Sequence, residues 1–274
     1  MKKKSFPISY FVNSCSFKKM FLGRRDLNAI QMIFVSIFLV FLLLNPVVYH
    51  SKNVPEYDLN EFLPDLTKTV EKISLTDLQQ IKVENHQLVQ PQEPIKEDFL
   101  IVNLNGKEHA TMKNGVMFTN KTIEIKLKGD TDLTIAYPKS INGSDFNSNQ
   151  DFLTMINKEW NNQNSVYRYF SMIILVSLLV VVTVLFLVFG ASFFILLTKK
   201  NQMSTIKTYK ESVNVVLNAM FIPTLLATVV GFISYDITVM LMIQSLGLGL
   251  VMLLIFVKTK FNDGYALDGK LSIN

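Results

Sequence analysis

The sequence predicts a polytopic α-helical membrane protein, with four transmembrane helices and a small α+β extracytoplasmic domain between helices one and two. Three observations predict it. Apolar residues gather in four long blocks. None of the blocks contains Lys, Arg, Asp or Glu. Segments 1–28, 199–212 and 258–274 each carry an excess of Lys and Arg over acids, whereas segment 50–168 is net negative.

A helix needs about 20 mostly apolar residues to cross the hydrocarbon core of a bilayer. Four segments meet that length: residues 29–49, 169–198, 213–234 and 237–257. A helix buried in a soluble protein usually keeps a polar stripe where one face meets water. None of these four carries a charged one. The second block is the longest. At about 1.5 Å per residue it exceeds the roughly 30 Å core, so it tilts or protrudes.

Orientation follows from the basic residues near the span ends, which stay on the cytoplasmic side. Residues 1–28 carry Lys2, Lys3, Lys4, Lys18, Lys19, Arg24 and Arg25. Residues 199–212 carry Lys199, Lys200, Lys207 and Lys210, and residues 258–274 carry Lys258, Lys260 and Lys270. Residues 50–168 hold most of the acids and are net negative. The expected topology is a multi-pass protein of the cell (plasma) membrane with both termini cytoplasmic and 50–168 outside. The net charge of +5 is therefore topogenic, and no nucleic-acid partner is expected.

The first block reads as an uncleaved anchor. Its basic region and apolar core are long for a secretory signal, and residues 45–51 offer no small-x-small cleavage site. The single cysteine, Cys15, lies in the basic leader, so the outer domain is expected to fold without a disulfide. Tyr10, Phe17 and Phe21 of the leader can share a helical face, as in an interfacial helix; a disordered basic tail is the alternative. Asn120-Lys121-Thr122 and Asn142-Gly143-Ser144 fit the glycosylation pattern. The Lys/Asn/Ile bias points to a bacterial chain, in which these are chance matches.

In 50–168, Leu59, Phe62, Leu63, Leu66, Val70 and Ile73 recur at helical steps, with Pro64 at an early turn or a break. Thr76 is a candidate cap for a second stretch holding Leu78 and Ile81, and the polar residues 84–98 read as a loop. Strands are expected at 99–104, 116–119, 123–127 and 133–137. Asn105-Gly106, Asn114-Gly115 and Gly129-Asp130 serve as turns. Ile123, Ile125 and Leu127 alternate with charged residues, so that strand has one buried face. A small antiparallel sheet of three to five strands follows, with the flanking helices as a second layer. Phe152, Met155, Ile156 and Trp160 then step as a helix towards Tyr167 and Tyr169 at the aromatic belt.

Chemistry has few places to reside. Asn214 and Asn218, four residues apart, form an intramembrane polar face, and Pro223 is a candidate kink one turn later. This face either lines a solute path or hydrogen-bonds within the bundle. Small residues at Gly190, Ala191, Ser192, Ser245, Gly247 and Gly249 allow close helix packing, either within the bundle or at a homodimer seam. His50, His86 and His109 lack metal-ligand spacing, and no nucleotide loop or nucleophile elbow is present. The solvated acids Asp130 and Asp132 read as a turn. No catalytic residue, cofactor or metal is expected.

The placed spans resemble a bacterial family of membrane proteins of unknown function sometimes labelled maltodextrin utilization proteins. The resemblance rests on the aromatic, basic leader, on Asn105-Gly106 with Lys113-Asn114-Gly115-Val116, and on Tyr209-Lys210-Glu211-Ser212 leading into a span with Ile222-Pro223-Thr224. It implies a link to sugar uptake and supplies no active-site residues. The expected function is a non-enzymatic integral membrane accessory protein. Its partners would be the bilayer and a transporter or envelope protein met through the outer domain. The alternative is a transport component with a polar path along helix three.

Overall fold

The computed structural model describes residues 5–50, 56–91, 94–102, 114–127, 131–200 and 204–269, without the side chains of 131 and 132. In chain order the α-helices are α1 (Ile8–Ser14), α2 (Phe17–Leu22), α3 (Ala29–His50), α4 (Leu59–Phe62), α5 (Pro64–Val70), α6 (Leu75–Leu78), α7 (Asn149–Gln163), α8 (Ser165–Leu197), α9 (Tyr209–Ile233), α10 (Ile237–Thr259) and α11 (Asp263–Asp268). The strands are β1 (Lys82–Glu84), β2 (Gln87–Gln90), β3 (Ile95–Lys96), β4 (Leu100–Val102), β5 (Gly115–Phe118), β6 (Thr122–Leu127), β7 (Thr131–Ala136) and β8 (Ser140–Asn142). Contacts divide the chain into two units. One is Pro55–Arg168; the other joins the residues before it to those from Tyr169 onward.

In the helical unit, α3, α8, α9 and α10 are long and apolar enough to cross a membrane. The helices run past the apolar blocks at the charged ends: α8 starts at Ser165, and α9 takes in Tyr209-Lys210-Glu211. Helix α9 is the centre. Every residue from Glu211 to Met220 is buried, because α1, α2, α3 and α10 surround that half of it. Helix α8 is the opposite case. Only Val180, Val184, Val188, Ser192 and Ile195 are buried on it, a single seam at steps of three and four.

The small residues divide in the same way. A Cβ at Gly247 would lie 2.9 Å from the Cβ of Pro223, so α9 and α10 meet there with no room for a side chain. Pro223 sits inside the continuous α9. Around Gly190 and Gly249 the space is open instead. Both line a cleft of about 510 Å³ between α8 and α10, so neither glycine is used for close packing within the bundle.

The leader differs from one interfacial helix. Ser16, in extended conformation, separates α1 from α2. The pair folds onto the bundle and buries Tyr10, Met20 and Phe21. Aromatics that one amphipathic helix would give to lipid headgroups are used as core.

In the Pro55–Arg168 unit, β6 alternates as the sequence predicts, with Ile123, Ile125 and Leu127 buried. The five-stranded sheet has the order β3-β4-β5-β6-β7. It is not wholly antiparallel, since β4 and β5 run parallel with Ile101 opposite Met117. No hairpin therefore joins β4 directly to β5, because parallel strands need a longer crossover. Asn105-Gly106 and Gly129-Asp130 themselves lie outside the described residues.

Residues 84–91 and 94–98 differ from the expected loop. They supply part of β1 with β2 and β3, and β2-β1-β8 forms a second, antiparallel sheet. The turn joining β1 to β2 is Asn85-His86, both at positive φ (51° and 64°). That is the backbone of a type I′ hairpin, with His86 where glycine is usual.

The helices α5 and α7 cover one face of the larger sheet. Leu66, Val70, Phe152 and Ile156 pack with Val116, Phe118, Ile123 and Ile125 in one core. Helix α7 is started by a capping box in which Ser148 and Asp151 bond each other's backbone N–H groups. Gln163 bonds both the N–H and the C=O of Ala136, at 2.9 and 2.7 Å, and so blunts the edge strand β7.

Candidate functional site

The polar groups of the helical unit converge where the leader meets α9 and α11. Asn214 and Asn218 stand one turn apart on α9 and are buried. Both reach the leader's backbone. The Leu27 N–H donates to Asn214 Oδ1 at 3.2 Å, and Asn214 Nδ2 donates to the Leu27 carbonyl at 3.3 Å. Asn218 Nδ2 donates to the Met20 carbonyl at 3.1 Å. The Tyr10 hydroxyl donates to the Leu217 carbonyl at 3.1 Å, and burial pushes the Tyr10 phenol well above its ordinary range.

The reason is local. Met20 lies in the last turn of α2, where carbonyls have no helical partner, and Leu27 lies between α2 and α3, outside any helical hydrogen-bond ladder. Buried without partners, such groups cost about 1–3 kcal/mol each. An amide side chain offers both a donor and an acceptor, so asparagines one turn apart can serve both segments.

Beyond the asparagines, two ion pairs fasten the leader. Arg24 forms a fork to Asp263 through two bonds of 2.7 Å, and its side chain is 3% exposed. The guanidinium stacks 4.4 Å from the centre of the Phe21 ring and reaches Thr205 Oγ1 at 3.4 Å. Thr205 is in turn held by its N–H to the Phe261 carbonyl at 2.9 Å. Burial alone would raise the Asp263 carboxyl. The Arg24 hydrogen bonds and charge outweigh it and hold the carboxyl below the usual range. Arg25 Nε donates to Glu211 Oε1 at 2.6 Å, while the other carboxylate oxygen of Glu211 accepts from the Lys207 N–H at 2.7 Å. The leader, the segment before α9 and the segment after α10 are thus tied at one end of the bundle.

The structure brings Asn214 and Asn218 together on one face, as their spacing requires. Pro223 is apart from them, against Gly247. Sequence reasoning missed Arg24, Arg25, Thr205, Glu211 and Asp263. Arg24 and Arg25 read only as topogenic charge. A signal for Glu211 was present, since Thr208-Tyr209-Lys210-Glu211 has capping-box spacing and the Glu211 N–H does bond Thr208 Oγ1.

In the Pro55–Arg168 unit, a shallow cleft of about 250 Å³ is lined by Lys72, Asp77, Glu97, Asp98 and Phe99. The Lys72 ammonium lies 4.8 Å from the centre of the Phe99 ring. The described residues contain no group of three or more His, Cys, Asp or Glu placed to hold a metal.

Comparison with known proteins agrees with the resemblance carried by the motifs. The chain is 25% identical over 259 residues to the maltodextrose utilization protein MalA of Streptococcus pneumoniae, covering 94% of this chain and 97% of that one. It is 22% identical over 287 residues to YvdJ of Bacillus subtilis, a protein named for maltodextrin utilization, covering 98% and 96%. No family model matches. No solved structure matches.

Proposed function

We propose that this chain is a non-enzymatic integral membrane accessory protein of maltodextrin utilization. It sits in the cell membrane with both termini cytoplasmic. Its Pro55–Arg168 unit lies outside and meets a transporter or envelope protein. The observation that carries the reading is the use made of Asn214 and Asn218. Their side chains are bound to the leader's backbone, so this polar face serves assembly of the bundle. The names of the two similar proteins supply the link to maltodextrin, and the excess of Lys and Arg over acids on alternate segments supplies the orientation.

A second reading, a transport component with a polar path along α9, is favoured by one observation. Asn218 Oδ1 and Gln244 Oε1 are buried without hydrogen-bond partners. Gln244 spends its amide nitrogen on Thr224 Oγ1, at 3.0 Å.

The two readings separate by experiment. A strain lacking the gene is complemented with the wild type or with Gln244→Leu, and maltodextrin uptake is measured beside protein level. The accessory reading expects uptake to survive Gln244→Leu. It also expects the wild-type chain to co-purify with a transport or envelope protein in mild detergent, and surface variants of the Pro55–Arg168 unit to lose that partner. Uptake lost in a well-assembled Gln244→Leu protein would establish the transport reading instead.

A further inference from the structure

Beside the leader clamp the helical unit has a second feature, a lateral cleft of about 740 Å³ between α3 and α8. Met32, Ser36 and Val40 form one wall, and Val184, Leu185 and Val188 form the other. The cleft borders the strongly exposed apolar side chains Ile33 and Ile37, about 60% and 59% accessible. Its length is hydrocarbon-like; its end is not.

At that end stand Ala29, Tyr209 and Lys210. The Tyr209 hydroxyl donates to the Phe189 carbonyl at 3.0 Å and so ties the first turn of α9 to α8. Ala29 is the first residue of α3, and Tyr209 and Lys210 open α9. Two helix N-termini therefore flank the same spot, each with a partial positive charge of about half a unit. The first turn of α3 has no acidic side chain to offset this. In α9 the first-turn acid, Glu211, is engaged by Arg25. Lys210 has no carboxylate partner among the described residues.

A lysine at the second position of a helix opposes the helix dipole. Such a local conflict is commonly retained where it has a use. Here the ammonium and both helix ends add to one electropositive locus at the mouth of an apolar cleft. The matching ligand carries a long hydrocarbon chain and an anionic head. The neighbouring Lys207, Lys199 and Lys200 are what a protein presents to the anionic leaflet.

We propose that the α3–α8 cleft holds one acyl chain of an anionic phospholipid, with the lipid phosphate against Lys210 and the first turns of α3 and α9. The proposal rests on the reading that these helices span a membrane. The lipid fills the gap that leaves α8 attached along only one seam, and so couples α8 to the rest of the bundle.

Native mass spectrometry of the full-length chain tests it. The protein is extracted in mild detergent, washed free of lipid and offered dioleoylphosphatidylglycerol or dioleoylphosphatidylcholine. One phosphatidylglycerol per chain is expected to remain under activation that strips phosphatidylcholine. Lys210→Gln should lower that occupancy about fivefold, the effect of one lysine at an anionic surface. Ser36→Trp should fill the cleft and remove the bound lipid, whereas Ser36→Ala should retain it. Equal retention of the two lipids would overturn the proposal. So would unchanged binding in both Lys210→Gln and Ser36→Trp, or competition by glycerol phosphate as strong as by whole lipid. A dimer that Ser36→Trp dissociates, with no lipid bound to either form, would assign the cleft to a second copy instead. Carbonate washing of the membranes keeps the two levels apart. Release of the protein would sink the membrane reading, while retention with unselective lipid binding sinks only the cleft proposal.

Discussion

Arg24 and Asp263 are 239 positions apart in sequence and are joined by two bonds of 2.7 Å, the guanidinium buried and the carboxylate partly open to solvent. This fork closes the helical unit on itself, since it ties the segment before α3 to the segment after α10. Breaking a fully buried pair by removing one partner costs about 3–5 kcal/mol. With Asp263 partly open, Arg24→Gln should cost about 2–3 kcal/mol. Thermal unfolding in detergent measures it. A double Arg24→Met/Asp263→Leu variant should recover part of the loss, because neither charge is then left alone. A double variant no better than Arg24→Gln would show that the pair is not the source.

The same pair sets a pH dependence. Folding depresses the Asp263 carboxyl. Its contribution is therefore complete above the ordinary aspartate value of about 3.9 and is lost as pH falls through the lower, folded value. Wild type should be more stable than Asp263→Asn at neutral pH, and the gap should close in acid below about pH 4. A gap that stays constant down to pH 2.5 or so would contradict the assignment.

Asn214 and Asn218 should act through the leader. Asn218→Leu leaves the Met20 carbonyl without its partner, and Asn214→Leu does the same to both backbone groups of Leu27. At about 1–3 kcal/mol per orphaned group, the double variant should release the leader before the bundle unfolds. Proteolysis near Lys18 and Lys19 in the folded protein reads this directly. Equal resistance in wild type and double variant would refute the clamp.

The glycines give a packing test. Gly247→Ala puts a methyl 2.9 Å from Pro223, which must shift. Overpacking of this kind costs about 1–3 kcal/mol. Gly249→Ala meets nothing within 4 Å and should be neutral. The unfolding midpoints of the two variants should differ; equal values would count against the α9–α10 contact.

Orientation is tested by labelling. With Cys15 replaced by serine, Lys121→Cys in the β5–β6 turn should react with a membrane-impermeant thiol reagent on intact cells, and Lys207→Cys should react only after lysis. The opposite pattern would invert the proposed topology.

The apolar blocks by themselves determined the four long helices, and strict alternation determined the buried face of β6. In both cases the signal is a one-dimensional pattern that burial imposes directly on the sequence. The asparagine spacing likewise gave one shared face on α9. What it could not give was the object that face binds, because backbone groups of the leader have no sequence signature. The same holds for Asn157 and Asn161 of α7, also four apart, which bond the backbone of Leu59 and Tyr57. Tertiary structure alone decided that β4 and β5 run parallel, that Asn85-His86 turns a hairpin, and that Arg24 finds Asp263. The parallel pair and the ion pair join segments distant in sequence, and the local hairpin turn is held at His86 by the carbonyls of Tyr137 and Lys139, also distant. The energies of such contacts are felt only once the chain has brought the segments together, and so they leave no periodic trace in the residues that make them.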